Sequence, residues 1–198
     1  AALDAGKHVY IEKTVTLNAM ECNAIIAREL QATTKVCVAH YRRYVPCFMK
    51  IRALLKAGAI GQPLMVQLDM LQPVASKIIT QTKDPWRVNP TLSGGGLFHD
   101  PSPHQLDLML QWFGSVIIAQ GRSENQRQCN AADDLVLGWA KFSSGVFLQG
   151  RWHFAVGADQ TRDLCEIIGT HGRIAINFFG KQVIHLQNAD GDQEIRIP

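Results

Sequence analysis

The stretch Leu135-Val136-Leu137-Gly138-Trp139-Ala140-Lys141-Phe142-Ser143-Ser144-Gly145-Val146-Phe147-Leu148-Gln149-Gly150-Arg151-Trp152-His153-Phe154 decides how this chain is read. Leu135 to Phe142 and Val146 to Phe154 each suit a strand, and Ser143-Ser144-Gly145 supplies the turn between them. The same grammar recurs downstream. Cys165 to Ile168 and Arg173 to Asn177 flank Gly169-Thr170-His171-Gly172. Val183 to Gln187 and Glu194 to Ile197 flank Asn188 to Gln193, which contains Asp190-Gly191-Asp192. The last third therefore reads as a β-meander. Further upstream, Leu64, Val66, Leu68 and Met70 alternate with Met65, Gln67, Asp69 and Leu71, again a strand period.

The front of the chain has another texture. His8 to Glu12 reads as a short strand after Gly6, and Lys35 to Ala39 as a second strand. Between them Cys22, Ile25, Ile26 and Leu30 fall at helical spacing, with Asn18 available as the N-cap. Strand, helix, strand is the crossover unit of a parallel sheet, and only one such unit is present. Pro46 opens a further helix with an apolar stripe of Phe48, Ile51, Leu54 and Leu55, stopped by Gly58 and Gly61. Leu106, Met109, Leu110 and Phe113 mark another, stopped by Gly114. The expected fold is a small α/β remnant over residues 1–45, followed over 46–198 by an α+β domain whose mostly antiparallel sheet carries helices on one face. The other face of such a sheet must be polar or covered, and aromatic residues fall on both alternations. A homo-oligomer joined through the sheet is the expected arrangement.

Composition narrows the function classes. The chain has 198 residues, 46% hydrophobic and 19% charged, with a formal charge of +3. That charge is small and dispersed, its densest cluster being Arg42-Arg43, which argues against nucleic acid as a partner. No apolar run approaches the roughly 18 residues of a membrane span. Ala1 to Lys7 lacks the basic start and apolar middle of a secretion signal. The five cysteines (Cys22, Cys37, Cys47, Cys129, Cys165) form no C-x-x-C pair and are odd in number, which reads as reduced thiols in the cytoplasm.

Five segments in order carry a resemblance. They are Ala5-Gly6-Lys7-His8-Val9 with Glu12-Lys13, Val38-Ala39-His40-Tyr41-Arg42-Arg43-Tyr44, Gly58-Ala59-Ile60-Gly61-Gln62-Pro63, Trp86-Arg87-Val88-Asn89-Pro90 leading to Ser93-Gly94-Gly95-Gly96, and Asp100 with His104 four residues on. Together they resemble the glucose–fructose oxidoreductase / inositol dehydrogenase / MocA family of NAD(P)-dependent sugar oxidoreductases. Thr14 departs from the pattern, since the family has Pro after the lysine. The family's Gly-x-Gly-x-x-Gly turn, which seats the pyrophosphate, is also missing from these residues. Family members begin with four further strands and continue past Pro198, so the resemblance covers the middle of a longer enzyme. Residues 1–45 would then be the remnant of a dinucleotide-binding (Rossmann) domain, and 46–198 the substrate-binding and dimerisation domain. The isolated chain is expected to bind NADH or NADPH poorly.

The resemblance implies hydride transfer between NAD or NADP and a sugar, inositol or related polyol, with Lys13, Asp100 and His104 as the catalytic set. It also implies cofactor contacts from Glu12, Lys13, Arg42, Trp86 and Arg87. The chemistry is coherent: oxidising a secondary alcohol needs a base for the hydroxyl proton and an acceptor for the hydride. If Ser102 caps the helix and Pro103 is its first residue, His104 lies in the opening turn, where the helix dipole disfavours imidazolium. Lys13 could stabilise developing alkoxide charge, and Asp100 orient the imidazole or bind substrate. Plainer readings exist for each: Lys13 as a surface lysine, Trp86 as core, Arg42 and Arg43 as a solvated strand end, the glycines as a loose loop. Two rival functions also stand. One is a catalytically silent, sheet-mediated association module; the other is a metal-dependent hydrolase using His99, Asp100 and His104, for which no further ligand is obvious and Asp107 is the only candidate.

Overall fold

The structure, a computed structural model, describes residues 1–76 and 86–197. Strand β1 (Val9–Ile11) and strand β2 (Val36–Val38) pair in parallel, with Tyr10 opposite Cys37. Helix α1 (Ala19–Leu30) joins them as the crossover. Asn18 caps it as the sequence suggests: its backbone is extended, and its side-chain oxygen accepts the Glu21 amide at 3.0 Å. The Glu21 carboxylate reaches back past the cap to the Leu17 amide at 3.1 Å, which ties the entering chain to the first turn. The apolar stripe of α1 nevertheless buries nothing, with Met20, Ile26 and Leu30 all exposed. A two-stranded sheet has too little surface to cover a twelve-residue helix.

Helix α2 (Pro46–Lys56) starts on Pro46, whose missing amide costs nothing at that position, and buries Cys47, Phe48 and Ile51. Strand β3 (Pro63–Leu71) follows, then the four-residue helix α3 (Pro90–Ser93) and helix α4 (Ser102–Phe113). Beyond these come β4 (Val116–Glu124), β5 (Leu135–Phe142), β6 (Phe147–His153), β7 (Arg162–Gly169), β8 (Gly172–Ile176), β9 (Val183–Asn188) and β10 (Gly191–Arg196). They form one eight-stranded sheet in the order β10-β9-β8-β7-β3-β6-β5-β4.

The mixed α/β class and the mostly antiparallel sheet agree with the sequence reading, while several details differ. Strand β4 was not expected at all, and the last turn is tighter, with β10 starting at Gly191. A simple meander would join β6 to β7. Instead β3 lies between them, parallel to β6 and antiparallel to β7. Its inward residues explain the placement: Val66, Leu68 and Met70 are fully buried, so the strand belongs at the centre of the sheet. A register shift between Pro63 and Met65 turns Leu64 outward, out of phase with that row.

One face of the sheet packs under α2 and α4. Val66, Leu68, Leu148, Trp152, Ile167, Ile174 and Ile184 meet Phe48, Ile51, Leu108, Met109 and Phe113 in one cluster. Each such side chain contributes about 1.5–3 kcal/mol by leaving water. In α4 the buried stripe includes Leu108, which the sequence spacing passed over, while Leu110 is exposed. Ser102 is not the cap of α4. It lies inside the helix, its hydroxyl donating to the Phe98 carbonyl, and Pro101 stands at the cap position without a side-chain bond. The opposite face of the sheet is open. There Leu137, Trp139 and Phe147 border a concavity of about 760 Å³, with the Trp139 and Phe147 rings 6.2 Å apart. Arg151 forks onto Asp69 beside them with two bonds of 2.7 Å.

Candidate active site

The glycine stretch is built for close approach. Asn89 caps α3 by accepting the Thr91 amide, and Gly94 ends it at φ +81°. A Cβ on Gly94 would lie 2.8 Å from the Leu17 carbonyl oxygen, and one on Gly95 would enter the His99 ring. The loop is therefore pressed on one side against the segment that leaves β1. A short 3₁₀ turn, Gly96–His99, then delivers Asp100 ahead of α4.

Asp100 is the hub. Lys13 Nζ donates to its carboxylate at 2.5 Å and to its main-chain carbonyl at 2.7 Å, across 87 positions of sequence. Arg87 Nε donates to the other carboxylate oxygen at 3.2 Å, and the Arg87 guanidinium lies 4.5 Å from the centre of the Trp86 ring. Two cations thus share one carboxylate. Glu12, Lys13, Trp86, Arg87, His99 and Asp100 border a common cavity of about 150 Å³.

His104 stands one turn further on, in the opening turn of α4, and is only 5% exposed. Its ring meets Tyr41 edge-on at 5.3 Å and Phe179 at 6.4 Å. Nδ1 is sealed from solvent without a partner, which leaves Nε2 as the nitrogen able to meet a proton. Burial first, then the charges of Lys13, Arg42 and His40, lower its pKa from 6.5 to about 4, with Asp100 opposing. The ring is neutral at neutral pH, as expected, but burial rather than a helix dipole is the leading cause.

Arg42 is placed away from the Lys13 cavity. Its Nη1 donates to the Phe178 carbonyl at 2.9 Å, and its guanidinium lies 4.3 Å from the centre of the Phe179 ring. Glu12, Lys13, Trp86 and Arg87 are brought together; Arg42 sits with His104, Tyr41 and Phe179 instead.

Several contributors escaped the sequence reading. Arg43 forks onto Asp107 with bonds of 2.8 and 2.5 Å, and His40 Nδ1 lies 3.7 Å from the same carboxylate. The sequence offers Asp107 only as a candidate metal ligand. Its place three residues after His104, on the face of α4 turned to the core, is a signal that it needs a partner. Asp163 accepts the amides of Phe178 and Phe179 at 3.0 and 2.6 Å and so holds the turn that presents Phe179. Burial pushes its carboxyl pKa up, against those amides. Thr14 donates from Oγ1 to the His99 carbonyl at 2.6 Å. For the hydrolase reading, among the described residues no group of three or more His, Cys, Asp or Glu is placed to hold a metal ion. Asp100 and Asp107 are instead engaged by cationic side chains.

The family model for the GFO/IDH/MocA C-terminal domain matches residues 48–175. Oxidoreductase P35 of Formosa agariphila is 36% identical over 187 residues, covering 94% of this chain and 57% of that protein. The scyllo-inositol 2-dehydrogenase (NAD(+)) of Bacillus subtilis is 27% identical over 207 residues, covering 100% of this chain and 56% of that enzyme. Among solved structures, an oxidoreductase domain protein from Kribbella flavida superposes with a TM-score of 0.79 at 26% identity, covering 99% of this chain and 56% of the other. The chain spans a little over half the length of these relatives.

Proposed function

The chain belongs to the GFO/IDH/MocA oxidoreductase family, and from that premise we propose that it carries the catalytic side of an NAD(P)-dependent oxidoreductase acting on a sugar, inositol or related polyol. The observation that carries the reading is the Lys13–Asp100 contact beside Arg87 and Trp86, one turn before a neutral His104. In this proposal residues 1–45 belong to the dinucleotide-binding domain and 46–198 to the substrate and dimerisation domain. Lys13, Asp100 and His104 are the catalytic set.

The residues around the small cavity suit the nicotinamide end of the cofactor. An exposed indole offers a flat face, while Lys13 and Arg87 offer cations toward a carboxamide or phosphate. Glu12, Lys13, Trp86 and Arg87 would hold that end, with Arg42 contributing from the His104 side. When bound, the nicotinamide accepts or returns the hydride.

The chain's own residues handle the proton. A base whose conjugate acid has a pKa of about 4 cannot take a proton from an ordinary hydroxyl at neutral pH. Lys13 supplies what is missing: its ammonium, placed on the substrate oxygen, lowers the hydroxyl pKa and stabilises the alkoxide. Asp100 keeps that ammonium aimed, and His104 Nε2 receives the proton. The relative named for scyllo-inositol and NAD(+) supports both the substrate class and the nicotinamide, with NAD or NADP as cofactor. The reading includes a cytoplasmic setting, in line with five free cysteines, and a homo-oligomer formed through the open sheet face. Among the described residues no helix is long and apolar enough to cross a membrane.

The test is a nicotinamide-absorbance assay on a full-length form that includes the rest of the dinucleotide-binding domain, across a polyol and aldose panel with NAD⁺ and NADP⁺. His104→Ala is expected to lower kcat by about 100-fold or more while leaving cofactor affinity unchanged. Equal turnover in the variant refutes His104 as the base.

A further inference from the structure

We propose that Thr14 is a positioning residue for the catalytic lysine: its hydroxyl, bonded to the His99 carbonyl, fixes the path along which Lys13 reaches Asp100. The proposal rests on the reading of Lys13 and Asp100 as a catalytic pair.

The segment leaving β1 runs along the glycine loop in the opposite direction, and the contacts step in order. Lys13 meets Asp100, Thr14 meets His99, and Leu17 meets Gly94, whose missing side chain leaves room for the Leu17 carbonyl. Among the described residues no backbone–backbone hydrogen bond joins the two segments. The seam is held by side chains and by a glycine. Within it Lys13 ends a flexible four-carbon stem, and only its own bonds to Asp100 would otherwise fix its direction. Thr14 supplies the adjacent tie, 2.6 Å long, to the carbonyl directly before Asp100.

This tie needs a hydroxyl at position 14. A proline, which the family pattern places here, has no donor to offer the His99 carbonyl. Thr14 also borders the same small cavity as Lys13 and Asp100, so the bond acts at the site and not at a distance. Because Thr14 is exposed, the hydroxyl also competes with water, which limits its strength and makes conservative replacements informative.

The experiment is pulse acetylation of lysines in the purified protein with an amine-reactive acetyl ester, read by mass spectrometry. Lys13, whose side chain is 16% exposed and paired, is compared with Lys50, exposed on α2. Thr14→Val is expected to raise the Lys13 rate about threefold or more relative to Lys50, the population change that follows from losing one hydrogen bond of ordinary net strength. Thr14→Ser restores the native rate. If Thr14→Val fails to fold, Thr14→Ala carries the same expectation. A Lys13 rate that is unchanged, or that rises only in step with Lys50, overturns the proposal. In turnover of the full-length form, Thr14→Val lowers kcat with the KM for dinucleotide unchanged, and an unaltered kcat counts against positioning. Absence of turnover in the full-length form on every polyol with either dinucleotide refutes the catalytic reading instead, while the labelling ratio still decides whether Thr14 places Lys13.

Discussion

Replacing His104 by glutamine should flatten the acid limb of the stability curve. In the unfolded chain the imidazole titrates near 6.5; in the fold it is held at about 4, by burial first and then by Lys13, Arg42 and His40 against the pull of Asp100. Between those values the unfolded state binds a proton that the native state refuses. The stability contributed by the neutral ring is therefore full above 6.5 and is lost as pH falls toward 4. Integrating that difference from about pH 7 to about pH 5 gives a loss of about 2 kcal/mol. Glutamine keeps a polar side chain but has nothing to titrate. Asp163, whose carboxyl is shifted upward, and every other ionisable group act in both proteins and cancel in the comparison. Urea denaturation of both forms at the two pH values measures it. With an m-value of about 2 kcal/mol/M, the native midpoint should fall by about 1 M more than that of the variant. Equal falls would show that His104 titrates normally and that the site does not hold it neutral.

Three other outcomes follow from the geometry. Asp107→Asn removes the charged end of the Arg43 fork in a buried place and should cost about 2–3 kcal/mol in urea denaturation, with a double-mutant cycle against Arg43→Gln showing strong coupling. Gly94→Ala meets both a φ of +81° and the Leu17 carbonyl, so it should destabilise by more than about 1 kcal/mol and raise Lys13 acetylation, read in the same labelling assay. Phe147→Glu puts a charge on the open sheet face beside Trp139; sedimentation velocity should show a smaller species than the native chain, and an unchanged size distribution would exclude that face as the contact.

What the sequence disclosed follows from how local each signal is. The Asn18 cap, the Pro46 helix start and the three C-terminal hairpins depend on neighbours within a few residues, and all three classes of feature were readable. Strand β4 was not: after Val116, Ile117 and Ile118 it turns to Ala119, Gln120, Gly121, Arg122 and Ser123, without alternation, and every residue in it is exposed. An edge strand with little to bury leaves no periodic trace. The insertion of β3 beside β6 is set by pairing across the sheet, which no local pattern encodes. At the site, residue types and order suggested Lys13, Asp100 and His104 through family likeness. The bond between positions 13 and 100 could not be seen in spacing. Asp107 and Asp163 were in principle visible, since a carboxylate amid apolar neighbours must find donors, but their partners lie 64 and about 15 positions away.

The central position of β3 also sets an order of events as the chain emerges from the ribosome. Asp69 pairs with Arg151, 82 positions later, and the opposite edge of the strand awaits β7. A nine-residue strand with three core side chains is thus made before its partners and stays bare on both edges until β6 and β7 exist. Hairpins such as β5–β6 can close at once, while completion of the sheet waits on a long-range docking step, slow by nature and open meanwhile to mispairing with other nascent copies.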